Sequence, residues 1–217
     1  AASGRTLLLD PAFAPSAVTH AARAAGGAVR LARSPVTLAK MVKNGTELEG
    51  FRDCHRLDGA AWIRFFAWLE KHGSVRATAG QPVTELEAED RILAFRQMSD
   101  LFVEPSFRSI SASAGHAAMC HYAASPASDA PITEKGIYLL DSGGQYLTGT
   151  TDATRTTALG PVSDEVRARY TAVLKGFLSM ISLRFPAGTC GHQVDAFARR
   201  PLWDLGLDYD HGTGHGV

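Results

Sequence analysis

The sequence predicts an α+β protein, and three features carry that expectation. A long helix opens at Asn44, a second long apolar repeat at helical spacing follows Ser163, and two β-rich runs between them flank a turn containing glycine and threonine. The first helix starts where the Asn44 side chain can accept from first-turn amides and Glu47 can reciprocate. Leu48, Phe51, Trp62, Phe65, Phe66 and Leu69 then share one broad face, and Gly73 is the expected stop. Another helix starts at Thr84, where Glu87 completes a Thr-x-x-Glu box, and runs to about Met98. Its apolar stripe of Leu86, Ile92, Leu93 and Phe95 is only moderate. From Ser163, the residues Val166, Tyr170, Val173, Leu174, Phe177 and Ile181 repeat at helical spacing until Pro186-Ala-Gly188. A last helix is expected over residues 193–205, with Pro201 interrupting its pattern.

The strands are shorter. Residues 137–141 and 150–157 read as a hairpin, and the small, polar stretch 106–125 as one extended strand. At the start, strand 6–9, helix 16–25 and strand 29–31 are punctuated by Asp10-Pro11 and Gly26-Gly27. Elements this small cannot close a core alone. Residues 1–36 therefore read as the end of a preceding domain and a linker, and residues 37–217 as the main domain.

The 217 residues are 45% apolar and 20% charged, which suits a globular protein able to bury a sizeable core. Lys plus Arg and Asp plus Glu stand at 22 each, so no global charge favours nucleic acid or an anionic membrane. No apolar run reaches the roughly 18 residues of a membrane helix. Cys54, Cys120 and Cys190 are odd in number and far apart, which suggests reduced thiols in the cytoplasm, each a small buried hydrophobe. The opening Ala-Ala-Ser is not a signal peptide and suggests a processed or tagged start, or a fragment.

Two places concentrate chemistry. If the hairpin turns at Tyr146-Leu147, Asp141 and Asp152 face each other with Cβ atoms roughly 4.5–5.5 Å apart. Like charges that close require a cation or a proton between them. Alternatively, one aspartate caps a turn and the other faces solvent. The surrounding Thr-Thr-Asp-Ala-Thr-Arg-Thr favours the first reading, because hydroxyls and a guanidinium can orient ligating carboxylates. His211 and His215 are four apart, but Gly212, Gly214 and Gly216 argue for a strand or loop rather than one helix face. His20, His55, His72, His116 and His192 read as surface, helix-end or loop residues.

Taken together, Asp141-Ser-Gly-Gly-Gln-Tyr-x-x-Gly-Thr-Thr-Asp152-x-Thr-Arg155-Thr, His121-Tyr122 and Asp208-Tyr-x-His211-Gly-Thr-Gly-His215-Gly-Val resemble the X-prolyl aminopeptidases of the pita-bread metallopeptidase family. The resemblance runs from about Ser34 to Val217. It implies a pita-bread catalytic domain, incomplete at its C-terminal end. It also implies two divalent metal ions, with Asp141 on one, Asp152 bridging both and His215 on the second. His121 and His211 would line the substrate site. Mn²⁺ is the expected metal, with Co²⁺ or Zn²⁺ able to replace it, and a bridging hydroxide would attack the carbonyl before proline. The substrate would be a peptide with proline at its second position.

Two glutamate ligands and another histidine would lie beyond Val217. The expectation is therefore a fragment, weak in metal binding and inactive alone. Its partner would be the rest of the catalytic domain, possibly a separate chain after nicking, and homodimerisation is a further expectation. Prolidase-like dipeptidase activity and a non-catalytic binding module on the same fold are the alternatives.

Overall fold

A computed structural model describes residues 4–133 and 136–217, so the reading of the first three residues lies outside it. The chain forms two units, Ala1–Gly50 and Phe51–Val217. The sequence division at residue 36 falls 14 residues before this one. Among the described residues no helix is long and apolar enough to cross a membrane.

In the first unit, β1 (Thr6–Leu9), α1 (Ser16–Ala24) and β2 (Ala28–Leu31) form a strand–helix–strand with β1 and β2 parallel, and α2 (Pro35–Met41) follows. The Asp10 carboxylate explains the break after β1. It accepts from the Ala12 and Ser34 amides, at 3.0 and 2.8 Å, and these bonds hold its pKa below the usual carboxylate range. Leu9 and Ala22 are buried, whereas Leu7, Leu8 and Leu31 are exposed.

Helix α3 (Gly45–Thr78) begins at the expected box: Asn44 and Glu47 exchange bonds of 2.8 and 2.9 Å. It does not stop at Gly73. A Cβ there would lie 3.1 Å from Leu159 Cδ1, so that glycine serves close packing. The helix ends instead near Gly80, whose φ of +72° permits the turn that brings the Gln81 amide to the Arg76 carbonyl. Helix α4 (Glu85–Arg96) is capped by Thr84. Its buried face is Glu85, Ala88, Ile92 and Arg96. Two of these four carry charge, which is why its apolar stripe looked weak.

The extended segment expected over 106–125 is broken. β3 (Phe102–Pro105) and β4 (Ile110–Ser113) are separate, and a 3₁₀ turn at Ala114–Ala118 follows. The strand stops because Ala114 takes φ +48°, and because Glu85 captures the Ser113 amide at 2.6 Å. β5 (Tyr138–Ser142), β6 (Gly144–Tyr146), β7 (Gly149–Thr150) and β8 (Ala153–Thr157) form one long hairpin shared between two sheets, of order β3-β6-β7 and β4-β5-β8. The turn lies at Leu147-Thr148, since Tyr146 pairs with Gly149. Asp141 consequently lies opposite Thr154, not Asp152. A slip of two residues preserves side-chain face. In the continued register Asp152 falls opposite Gly143, diagonal to Asp141 on the same side.

The core joins Trp62, Phe65 and Leu69 of α3 to Ile92 of α4 and to Tyr138 and Leu140 of β5. Full burial of a Leu or Phe side chain contributes about 1.5–3 kcal/mol. Within this core lies an ion pair: Arg96 Nε donates to Asp58 Oδ1 at 2.6 Å, with Arg96 and Asp58 only 1% and 3% exposed. Trp62 Nε1, Tyr146 OH and Thr151 OH also donate to Asp58, at 3.1, 3.0 and 3.0 Å. Helix α5 (Asp164–Ile181), capped by Ser163, packs against α6 (Gly191–Trp203). A Cβ at Gly176 would sit 2.1 Å from the Ala198 carbonyl oxygen. Pro201 is accommodated inside α6. Of the cysteines only Cys54 is buried, while Cys120 and Cys190 are exposed on loops.

Replacing Arg96 with Met strands a buried carboxylate and is expected to lower stability by about 3–5 kcal/mol. Urea denaturation of Arg96→Met and of Asp58→Leu/Arg96→Met checks this, with the double variant expected to recover much of the loss.

Candidate metal centre

A cavity of about 530 Å³ opens on the front of the hairpin. His121, Asp141, Asp152 and His215 all line it, together with Phe107, Ile110 and Cys120. Four of the five residues singled out in the sequence thus meet in one place.

The two aspartates arrive from the strands. Gly143 between them permits the hairpin to cross from one sheet to the other: a Cβ there would fall 1.9 Å from the Thr151 carbonyl oxygen. Burial pushes the Asp141 carboxyl above the usual range, a bond from the Thr154 hydroxyl pulls it down, the Asp152 carboxylate pushes it up and His215 pulls it down. Asp141 Oδ1 is buried and has no hydrogen-bond partner. Thr154 lies directly opposite Asp141 across the strands. Arg155 does not support the carboxylates, since its guanidinium donates to the Thr154 carbonyl at 2.7 Å on the exposed side.

His215 arrives from the segment after α6, which has no regular structure. Its Nδ1 donates to the Gly216 carbonyl at 2.9 Å, which turns Nε2 toward Asp152. Nε2 lies 3.4 Å from Asp152 Oδ2. The segment itself is held by Arg199 of α6, which the sequence reading did not single out. Arg199 bonds Asp195 at 2.6 Å, Asp208 at 2.8 Å and the carbonyls of Tyr209 and His211 at 2.5 and 3.1 Å, and stacks over the Tyr209 ring at 3.9 Å. Thr213 donates to Asp195. That bond and the Arg199 contact hold the Asp195 carboxyl below the usual range. His211 does not line the cavity. Its ring stacks on Tyr209 at 4.8 Å and its Nδ1 bonds the Gly212 carbonyl.

His121 is carried on a loop tied to the fully buried Glu85, which accepts from the Ser113 amide, His116 Nδ1 and Tyr122 OH at 2.6, 2.9 and 2.8 Å. His116 also stacks on Tyr122, at 4.5 Å, and so anchors the loop rather than merely facing solvent. Glu85 escaped notice because a glutamate in the first turn of a helix reads as a dipole partner.

Asp152 and His215 touch each other, and among the described residues no three His, Cys, Asp or Glu side chains are already spaced around an ion. The donor set nevertheless fits divalent metal. An unpartnered buried carboxylate oxygen and a second carboxylate on the same face call for positive charge, and His215 Nε2 beside Asp152 is a nitrogen that could ligate it.

A mixed helix and strand domain whose hairpin brings paired carboxylates and a histidine to one cavity defines a metallopeptidase scaffold. The chain belongs to metallopeptidase family M24, whose model matches residues 49–217. It is 48% identical over 185 residues to a probable Xaa-Pro aminopeptidase P of Trichophyton verrucosum, covering 85% of this chain and 26% of that protein. It is also 48% identical over 190 residues to one of Laccaria bicolor, covering 86% and 28%. The crystal structure of the X-prolyl aminopeptidase of Caenorhabditis elegans, described as a cytosolic enzyme with a di-nuclear active site, superposes with a TM-score of 0.82 at 39% identity, covering 87% of this chain and 30% of that one. The Xaa-Pro dipeptidase of Bacillus anthracis, at 23% identity and a TM-score of 0.80, shares the fold, with 98% and 56% covered. The chain therefore spans under a third of the length of these aminopeptidase relatives and carries part of the pita-bread fold.

Because the Asp141 carboxyl is raised in the folded state, its protonated form favours folding, and that stabilisation is lost as pH rises through the raised pKa. Metal-free Asp141→Asn is accordingly expected to melt above wild type near neutral pH, with the gap closing on acidification into the carboxylate range. Calorimetric melting across pH in the presence of chelator checks this.

Proposed function

We propose that the protein carrying this chain is an X-prolyl aminopeptidase in which Asp141, Asp152 and His215 hold part of a two-metal centre. The observation that carries this is the convergence of those three side chains and His121 on one cavity of a family M24 domain. Mn²⁺ is the expected ion, because carboxylate-rich donors suit hard divalent metals. Relatives at 48% identity that are named aminopeptidase P favour this reading over a dipeptidase.

When bound, the ions supply a water-derived nucleophile near neutral pH and positive charge to oppose the oxyanion. The protein residues do the rest. The Gly216 carbonyl keeps the His215 proton on Nδ1, so Nε2 stays available. Thr154 stands opposite Asp141 across the strands. His121 is placed at the cavity wall, where it can bond the peptide, and Phe107 and Ile110 give that wall an apolar surface suited to a proline ring. The scissile bond before proline is a tertiary amide without N–H, so selection rests on ring shape and on the free amino terminus. His211 contributes only if its ring leaves Tyr209.

Three ligands do not saturate two ions. The remaining ligands are assigned to chain beyond Val217, and residues 1–217 alone are expected to be inactive. Cytoplasmic location is proposed from the relative of C. elegans, which is described as a cytosolic enzyme.

The test is hydrolysis of a longer X-Pro peptide beside an X-Pro dipeptide by the intact protein. Chelation should abolish cleavage of the longer peptide, added Mn²⁺ should restore it, and Asp152→Asn should lower kcat by about a thousandfold or more, the scale of several kcal/mol of metal stabilisation. Cleavage of the dipeptide alone would favour the dipeptidase, and metal binding without any cleavage would favour the binding module.

A further inference from the structure

The residues that flank the two carboxylates in sequence point the other way, into the core. Ser142 follows Asp141 and is fully buried; Thr151 precedes Asp152 and is 2% exposed. Alternation along extended backbone puts neighbours on opposite faces, so the face behind the ligands is the face these two present. Both are gripped by the same pair of charges. Arg96 Nη1 donates to Ser142 Oγ, which also shares a hydrogen with Ser109 Oγ at 2.6 Å. Thr151 Oγ1 donates to Asp58 Oδ2 at 3.0 Å and accepts from the Gly144 amide at 2.9 Å. One ion pair therefore fastens both strands of the hairpin at the residues next to the ligands.

We propose that the buried Asp58–Arg96 pair is a positioning device for the metal centre, setting the spacing of the Asp141 and Asp152 carboxylates from behind the hairpin. The proposal rests on the reading of those aspartates as ligands. Both oxygens of Asp58 are engaged by short, directional bonds, and a buried pair of this kind contributes little net stability compared with apolar packing of the same volume. What it does contribute is fixed geometry. The planar guanidinium reaches Asp58 through Nε and Ser142 through Nη1 at once. A lysine could hold the charge but not both contacts. Hydrogen bonds behind metal ligands commonly govern affinity by about 10–100-fold.

The test uses the intact protein with Mn²⁺ as probe. Ser142→Ala/Thr151→Val detaches the strands and leaves the ion pair in place; Arg96→Lys keeps the charge and loses the fork. A core substitution in α6, Leu202→Ala, serves as a destabilised control that does not touch the pair. Mn²⁺ titration and the spin-coupled dimanganese resonance are read for each. The expected result is a weakening of the second ion by about 10–100-fold and an altered coupling in both hub variants, with the control like wild type. Wild-type affinity and coupling in the hub variants would overturn the proposal, as would an equal loss in the control. If Arg96→Lys does not fold, the hydroxyl double variant decides. Absence of a coupled pair in wild type itself would be a different failure: it removes the two-metal reading and this proposal with it.

Discussion

The hairpin that carries Asp141 and Asp152 is backed by one buried ion pair. Asp58 of α3 and Arg96 of α4 lie 38 residues apart, almost wholly buried, with Trp62, Tyr146, Thr151 and Ser142 completing their hydrogen bonds. Taking charges out of water costs several kcal/mol per ion, and the pair is tolerable only because its bonds are so fully made. That condition constrains the surroundings. The two helices must meet the hairpin where Ser142 and Thr151 turn inward, and the hairpin must then present Asp141 and Asp152 outward. Tyr146 follows the same logic: burial, with Asp58 beside it, pushes its phenol well above the ordinary range and keeps it a neutral donor.

The cavity is assembled from three supports of different kind. The hairpin side is rigid and built from behind, with Gly143 allowing strands to approach so closely that no side chain fits. The His215 side is an irregular segment held by a surface cluster of Arg199, Asp195, Asp208 and Tyr209. Exposed charge pairs are individually weak, so this side is the more easily displaced. His121 belongs to a third arrangement, a loop pinned to buried Glu85. The placement of Asp141 and Asp152 thus depends on the core, and that of His215 on surface clamps.

What the sequence revealed and what it hid follow the range of the interactions involved. The caps at Asn44, Thr84 and Ser163 were legible because each closes within three residues, although only Asn44–Glu47 is a reciprocal box: Glu87 gives its carboxylate to Arg76 instead. The residues that meet in the cavity were legible because their types and spacing are distinctive. Register was missed by two because the true turn at Leu147-Thr148 carries no glycine, while the shared face of the aspartates survived because the slip was even. Gly73 looked like a terminator, although only Leu159, distant in sequence, shows that it is a packing glycine. The inward charges of α4 and the exposure of Cys120 and Cys190 depend on partners brought in by the fold, and no local pattern announces them. His211 carries the most suggestive spacing with His215, yet the Tyr209 stack takes it out of the cavity.

The chain belongs to family M24 and superposes on an X-prolyl aminopeptidase described as having a di-nuclear active site. The central claim is that Asp141, Asp152 and His215 are metal ligands rather than a salt-bridged surface cluster. Anomalous diffraction at the manganese edge from crystals of the intact protein grown with Mn²⁺ tests it most directly. The account predicts two anomalous peaks in the cavity, in contact with Asp141, Asp152 and His215. A map in which that cavity holds no peak, with Asp152 and His215 still paired to each other, would contradict it.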